Sequence, residues 1–236
     1  MYYGRGLNLL WDPTYILIII GAVISLGASA WMKSTFNKYS RRMSASGISG
    51  RDTALWILNA AGIPNVRVGA VGGSLTDHYD PRTKVVNLSQ TIYGRNSLAA
   101  VGVAAHECGH AIQDASNYMP LRLRSEIVPV VNIGSSLSWP IFILGLLFSI
   151  KPLTTIGIVL FSLAVLFQLI TLPVELDASH RALVMLERTG IVGEQEKREV
   201  RKVLTAAAMT YVAALAASVL QLLRLVLLAR GRSRND

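Results

Sequence analysis

The chain has 236 residues, of which 52% are hydrophobic and 16% charged, and its mean hydropathy is +0.43. This composition excludes an ordinary soluble domain and indicates a membrane protein with a modest polar portion. The single cysteine, Cys108, excludes an internal disulfide and a cysteine-based zinc cluster. The net charge is +9, but the basic residues flank apolar stretches. Membrane topology and anionic lipid head groups therefore explain them better than nucleic acid does.

Four stretches approach the roughly 20 apolar residues that are needed to cross a bilayer. They are residues 14–32, 127–148, 154–172 and 203–223. The first contains an Ala-Ser-Ala triplet at 28–30 that resembles a signal-peptidase site. Only one basic residue precedes this stretch and many follow it, which favours an uncleaved anchor over a cleaved signal peptide.

The distribution of the 23 Lys and Arg residues predicts a topology. Eleven lie between the first and second apolar stretches, and six lie between the third and fourth. Under the positive-inside rule these two segments face the cytoplasm, which places the N-terminus outside. Four basic residues from Arg224 onward would then face outside, against the same rule. The last stretch could therefore be short, tilted or partly interfacial.

Between the first two stretches the pattern predicts a small α+β region. Residues 40–51 form a polar linker rich in Gly and Ser. Asp52 is predicted to N-cap a short helix that ends near residue 61. Alternating valines then indicate β structure over residues 65–89, with a type I turn at 80–83, so we expect a small hairpin or sheet.

The next helix is predicted over residues 97–114, with Asn96 or Ser97 as its cap. It carries the motif His-Glu-Cys-Gly-His at 106–110. Rotation by 100° per residue groups one apolar stripe on the side opposite the two histidines. Its members are Leu98, Val101, Ala105, Cys108 and Ile112. Cys108 is therefore predicted to be a core residue, not a ligand or a nucleophile.

In an H-E-x-x-H motif the two imidazoles lie one helical turn apart and can bind one metal ion. His106 and His110 would be ligands, and Glu107 would act as a general base on water. A catalytic zinc usually takes a third protein ligand. Glu175 is favoured because it follows the third apolar stretch at the start of a predicted helix, and two crossings return the chain to the same membrane side. The alternatives are His78, His180, Asp114, Glu126 and Glu187.

Three segments resemble the YugP-like putative neutral zinc metallopeptidase family of bacterial membranes. They are DHYDPRT at 77–83, AAHECGHAIQ at 104–113 and LPVELDAS at 172–179. The resemblance implies a gluzincin-type site, with one Zn²⁺ bound by the two motif histidines and Glu175. The chain is also similar to membrane zinc proteases of the HtpX and CAAX-processing type, which carry Asp four residues after the ligand Glu. Here Ser179 occupies that position, and Asp177 lies about 200° around the helix from Glu175. We expect Asp177 to pair with Arg181 instead.

The expected fold is an α-rich integral membrane protein with about four transmembrane helices. A small α+β zincin-like domain, residues 33–126 and 173–202, would be split by a transmembrane hairpin. Stabilisation of the reaction's oxyanion needs a further hydrogen-bond donor. The candidates for this donor, or for side chains that hydrogen-bond and orient the metal ligands, are His78, Tyr79, His180 and Arg181. The strand at 84–89 is predicted to be either a substrate-pairing edge or a plain structural strand.

These features predict a membrane-embedded zinc endopeptidase near the cytoplasmic face of the bacterial plasma membrane. The expected partners are a peptide or protein substrate, which could itself be membrane-associated, and the lipid bilayer. No nucleic-acid partner is expected, and the sequence leaves the oligomeric state open. The alternative is a zinc-binding membrane scaffold or adaptor without proteolytic activity. The intact Glu107 favours the enzyme, because a structural zinc site does not need a base.

Overall fold

A computed structural model describes residues 12–233 as a mostly helical chain with one small sheet. The helices are α1 (Tyr15–Ser40), α2 (Gly50–Ala60), α3 (Gln90–Tyr93), α4 (Leu98–Ala115), α5 (Met119–Leu147), α6 (Lys151–Arg188) and α7 (Glu194–Ser233). The strands are β1 (Arg67–Val71), β2 (His78–Asp80) and β3 (Val85–Ser89).

Helices α1, α5, α6 and α7 are long and apolar enough to cross a membrane. They match the four predicted apolar stretches to within one residue at the ends of α1 and α5, and each helix extends beyond its stretch on at least one side. Helix α6 has 38 residues, which corresponds to a length of about 57 Å. That length exceeds the roughly 30 Å hydrocarbon core of a bilayer, so α6 can cross it and continue into polar surroundings. The four-helix expectation is confirmed for these helices, while the membrane boundaries stay a prediction.

The chain divides into two compact units. The first comprises residues up to 27, residues 127–169 and residues from 212 onward. Its helices approach each other closely at small residues. A Cβ atom added to Gly21 would lie 3.3 Å from the Cα of Ala217, and one added to Gly157 would lie 2.6 Å from the Cβ of Phe142. Phe142 is buried in an apolar cluster of this unit.

The second unit comprises residues 28–126 and 170–211, and α4 lies in its core. The predicted apolar stripe of α4 is buried, apart from the partly exposed Ile112. Much of the opposite side is buried as well, including Ala99, His110 and Gln113, whereas Val103, His106 and Asp114 are partly exposed. The prediction of a two-faced helix was therefore incomplete. Its second side is covered because Gly102 and Gly109 allow α7 and α6 to approach closely.

The three strands form one sheet in the order β1-β3-β2. Strand β3 pairs in parallel with β1 and antiparallel with β2. The turn between β2 and β3 is held by Asp80, which accepts hydrogen bonds from the Arg82 backbone amide and the Thr83 hydroxyl. The predicted small sheet is confirmed. β3 is the central strand, paired over its full length with β1 and over Val85–Asn87 with β2, which supports the predicted structural strand over the substrate-pairing edge.

The start of α2 also differs from the prediction. Ser49, not Asp52, is the N-cap residue, and its hydroxyl accepts a hydrogen bond from the Asp52 amide. Asp52 stands three residues later and its carboxylate accepts from the Ser49 hydroxyl at 2.6 Å. The Asp52 carboxylate therefore supports the Ser49 side chain that caps the helix, and the acidic residue was mistaken for the cap itself.

Candidate metal centre

Helix α4 presents two imidazoles to one helical residue of α6. The Ser97 hydroxyl caps α4 by accepting from the Ala100 amide, which fixes the helix that carries the motif. Oε2 of Glu175 lies 3.3 Å from Nε2 of His106 and 3.5 Å from Nε2 of His110. The ligand atoms of the three residues all lie within 4.8 Å of one another. The structure therefore brings together the three residues that were predicted as ligands.

The close contact of α4 and α6 depends on Gly109. A Cβ atom at this position would lie 2.3 Å from the carbonyl oxygen of Ala178, so no side chain fits there. Gly109 immediately precedes His110 in α4, and Ala178 follows Glu175 by three residues in α6. The close contact therefore lies next to the ligands. Glu175 itself lies in the middle of α6, not at a helix start as predicted. A helix N-terminus therefore does not explain its presence.

The other ring nitrogens of both histidines are hydrogen-bonded within the protein. Nδ1 of His106 lies 3.1 Å from the Ser179 hydroxyl, and Nδ1 of His110 lies 3.0 Å from Oε1 of Gln113. These bonds orient the rings so that both Nε2 atoms face Glu175, an arrangement typical of metal-binding histidines. Ser179 thus fills the position where similar proteases carry a carboxylate.

The charges around His110 favour a cation at this site. Burial alone would lower the pKa of His110, but the hydrogen bond with Glu175 and the negative charge of Glu107 outweigh it and raise the pKa overall. Both carboxylates are themselves almost fully buried, at 7% exposure for Glu107 and 2% for Glu175. Two buried carboxylates next to two imidazoles place negative charge where a divalent cation could be bound. Such a cation would offset the cost of burying the two carboxylates.

Arg124 orients the third ligand. Its Nη1 donates a hydrogen bond of 2.8 Å to Oε1 of Glu175, while Oε2 of the same carboxylate faces the two imidazoles. The carboxylate is therefore held in one orientation by a charge-assisted hydrogen bond. No pattern in the sequence pointed to Arg124. It lies 51 residues from Glu175, and no spacing rule relates positions that far apart.

A second hydrogen-bonded chain connects His110 to Asp177. The fully buried Gln113 donates from Nε2 to the Val174 carbonyl and to Oδ2 of Asp177, both at 2.8 Å. Arg181 donates to the same carboxylate at 2.6 Å, which confirms the predicted Asp177–Arg181 pair. Asp177 does not face the cluster directly. It acts on His110 only through the amide of Gln113.

A cavity of about 210 Å³ opens onto the cluster. His106, Glu107 and Glu175 lie in its wall, together with Asp77 and Ser179. Most of the remaining lining is apolar and includes Met32, Phe36, Val103, Leu204, Ala207 and Ala208. A cavity of about 150 Å³ with apolar walls can hold benzene, so this one has room for a large apolar side chain.

None of the four residues predicted as oxyanion donors lines this cavity. His78 and His180 are exposed, and Arg181 is bonded to Asp177. The Tyr79 hydroxyl donates to Asp114 at 2.6 Å, and burial, together with this bond, raises its pKa. The geometry therefore lends no support to these four residues as oxyanion donors, and that role stays a prediction. Arg181 does act on the site indirectly, because the Asp177 carboxylate that it binds also accepts a hydrogen bond from Gln113.

Tyr211 carries a further hydroxyl at the cavity, which no sequence pattern indicated. It lines the cavity with Glu107, and its side chain interacts with the Glu175 carboxylate. It stands inside the apolar stretch at 203–223, where a tyrosine is usually read as an interfacial anchor. Hydropathy alone therefore gave no reason to connect it with the motif.

The other proposed third ligands lie outside the cluster. Asp114 binds Tyr79 and Lys84, and Glu187 binds Lys197 at 2.5 Å. Glu126 is exposed at the surface. Cys108 is fully buried, with its thiol 3.6 Å from the Ala54 carbonyl, and burial raises the pKa of this thiol. The prediction that Cys108 is a core residue is confirmed.

Four long apolar helices and a buried His-His-Glu cluster on an H-E-x-x-H helix are the features of a membrane protein with a candidate zinc centre. The chain belongs to the family described as "Putative neutral zinc metallopeptidase", whose model matches residues 14–230. It is 45% identical over 225 residues to the "Putative membrane protease YugP" of Bacillus subtilis (strain 168), which covers 93% of this chain and 100% of that protein. No solved structure matches the chain.

Proposed function

We propose that this protein is a membrane-embedded zinc endopeptidase. His106, His110 and Glu175 would hold one Zn²⁺ ion, and Glu107 would be the general base. The observation that carries this proposal is the convergence of the three ligand atoms within 4.8 Å beside a cavity that also contains Glu107. Membership of a family described as zinc metallopeptidases, and a relative described as a membrane protease, support it.

The donor set fits a catalytic zinc better than a structural one. Two imidazole nitrogens and one carboxylate oxygen are a common set in zinc hydrolases, where a fourth position stays open for water or substrate. Structural zinc sites usually close all four positions with protein ligands. Among the described residues, no fourth His, Cys, Asp or Glu joins the group.

The chain's own residues suit each step of peptide hydrolysis. When bound, zinc supplies a Lewis acid that polarises the scissile carbonyl and makes water more acidic. Glu107 would take a proton from the attacking water and pass it to the departing amine. Tyr211 would donate a hydrogen bond to the oxygen that becomes negatively charged. The apolar walls of the cavity would bind an apolar side chain of the substrate and keep out bulk water.

The site would act near the cytoplasmic membrane face, on a peptide or a membrane-associated protein. The support is the charge distribution, because the basic segment at residues 33–124 contains the motif histidines and the one at 181–202 follows Glu175. Apolar residues of α1 and α7, such as Phe36 and Leu204, line the cavity. Both helices are long and apolar enough to cross a membrane. A substrate segment leaving the bilayer would meet this lining.

A comparison of the wild-type protein with Glu107→Gln tests the proposal. Both would be purified and assayed for bound zinc and for cleavage of a peptide library. We expect stoichiometric zinc in both and cleavage by the wild type alone, with the exposed Glu126→Gln variant as a fully active control. Equal cleavage by Glu107→Gln would remove this residue from the mechanism. Tight zinc without cleavage in any variant would favour the zinc-binding scaffold.

A further inference from the structure

A second cavity, here called the basic groove, runs between α1 and α7. It has a volume of about 570 Å³. Its lining residues are Trp31, Thr35, Lys38, Tyr39, Arg198, Arg201, Lys202 and Thr205. All of them belong to the second compact unit, and the candidate zinc ligands are not among them. We propose that the basic groove binds the head group of an anionic phospholipid.

The groove is formed by one face from each helix. On α1 the lining residues lie at positions 31, 35, 38 and 39, and on α7 they lie at positions 198, 201, 202 and 205. These spacings place side chains in a single row along a helix. Two rows that face each other form a channel parallel to the helices, which suits an elongated ligand.

The four cations of the groove lack acidic partners. The exposed Lys38, Arg198, Arg201 and Lys202 have no carboxylate within 4.0 Å among the described residues. Two neighbouring cations are paired, since Arg42 binds Glu199 and Lys197 binds Glu187. Four unpaired positive charges along one groove repel each other and create a potential that attracts a negative group.

The position of the groove along both helices favours a lipid over a free anion. Helix α1 changes from apolar to basic after residue 32, and α7 changes from basic to apolar at residue 203. The cations therefore lie towards one end, while Trp31, 49% exposed, lies towards the apolar end. Tryptophan is enriched where head groups meet acyl chains. A ligand with a phosphate and a hydrocarbon chain would contact both ends.

The head group should carry a net negative charge. A phosphate can accept hydrogen bonds from the guanidinium groups of Arg198 and Arg201, and from the hydroxyls of Thr35 and Thr205. A zwitterionic head group would add a cation to a groove that has no described acidic partner for it. Phosphatidylglycerol therefore fits better than phosphatidylcholine.

The experiment measures which lipid contacts Trp31. The full chain, with Trp11, Trp56 and Trp139 replaced by Phe, would be placed in phosphatidylcholine nanodiscs that contain a small fraction of brominated lipid. One set carries brominated phosphatidylglycerol and the other brominated phosphatidylcholine. Each basic residue near an anionic lipid contributes roughly a fivefold preference. We expect phosphatidylglycerol to be at least about fivefold enriched at Trp31, as read from fluorescence quenching.

Two triple variants separate the groove from charge in general. Lys38→Gln with Arg201→Gln and Lys202→Gln should lose the preference. The matched control replaces three exposed cations outside the groove, Arg67, Arg82 and Arg95, by Gln and should keep it. Unchanged quenching by brominated phosphatidylcholine in both would show that both variants fold and insert.

Three results would overturn the proposal. Equal quenching by the two brominated lipids would show no selectivity at the groove. An equal loss of preference in both triple variants would assign the effect to overall charge. Loss of the preference on adding inorganic phosphate or an acidic peptide, at matched ionic strength, would assign the groove to a free phosphate or to a polypeptide. None of these readouts depends on proteolytic activity, so the result stands apart from the proposed function.

Discussion

The Ser179 hydroxyl lies 3.1 Å from Nδ1 of His106, in the position where similar membrane zinc proteases carry an aspartate. A hydroxyl can accept the ring N–H, although more weakly than a carboxylate does. It therefore fixes the tautomer and the ring orientation that expose Nε2 to the metal position.

We predict that Ser179→Ala lowers zinc affinity by about 10- to 100-fold. The physical reason is that the His106 ring loses its only described Nδ1 partner. Competition with a chromophoric chelator measures the affinity. Ser179→Thr keeps the hydroxyl and is the matched control, with affinity close to wild type. The same affinity in Ser179→Ala and wild type would contradict this role.

Tyr211 is expected to act mainly on turnover. Tyr211→Phe should lower kcat by about 10²- to 10³-fold, as the loss of one oxyanion donor does in other hydrolases. KM should stay near wild type, because the ring that lines the cavity remains. Zinc affinity should fall far less than kcat, because Tyr211 contacts Glu175 but is not one of the three ligands. Tyr118→Phe removes a hydroxyl that lies outside the cavity and should keep full kcat. A parallel rise in KM without a fall in kcat would assign Tyr211 to substrate binding.

At the residue scale, the sequence predicted those site residues whose positions follow a simple pattern along the chain. His106 and His110 follow helical spacing, and Glu175 was reached through the parity of membrane crossings. Arg124 and Gln113 were missed because their hydrogen bonds to α6 join residues 51 and 61 positions apart. Such contacts follow from how α4, α5 and α6 pack, and they leave no periodic pattern in the chain.

At the element scale, the site depends on direct backbone contact between α4 and α6. We predict that Gly109→Ala costs about 1–3 kcal/mol of stability, as overpacking of a tight contact does. The variant should also lower zinc affinity. The new Cβ at position 109 would lie 2.3 Å from the Ala178 carbonyl oxygen, so α6 would have to move and would carry Glu175 away from the histidines. Denaturant unfolding and a zinc titration measure the two effects.

The control for Gly109→Ala is Gly27→Ala, another helical glycine. A Cβ added to Gly27 meets nothing within 4 Å, so this variant should be as stable as wild type or slightly more stable. If Gly109→Ala bound zinc as tightly as Gly27→Ala, the close contact would not be what positions the third ligand.

The elements themselves were largely predictable, while their continuity and neighbours were not. Pro173 and the change to polar residues suggested that a helix starts near Glu175, yet α6 continues through this proline. A proline removes one hydrogen bond from a helix but does not always end it. The central position of β3 was missed because its parallel pairing with β1 is a long-range contact.

At the scale of the whole molecule, topology is the prediction that most affects function. The second compact unit contains the two basic segments, so the positive-inside rule places it in the cytoplasm. In a Cys108→Ala background, Arg82→Cys should resist a membrane-impermeant maleimide in intact cells and react after lysis. Asn8→Cys, near the N-terminus, should react in both. The reverse pattern would place the candidate site outside the cell.

A bound metal ion would also connect distant parts of the chain, because α4 and α6 supply its ligands from positions 106–110 and 175. A ligand that binds only the folded state at 1,000 times its Kd stabilises it by about 4.1 kcal/mol. We therefore predict that chelation lowers Tm by roughly 8–16 °C for a chain of this size. His110→Ala should start from the lower Tm and show no further shift on chelation.

His180→Ala is the matched control for this measurement, since the exposed His180 lies outside the cluster. It should lose as much stability on chelation as the wild type does, and it should regain it on adding Zn²⁺. An equal chelation shift in His110→Ala and wild type would mean that the stabilising ion binds elsewhere. The comparison tests the ligand set through stability alone, so it remains informative even if the natural substrate is never found in the assay.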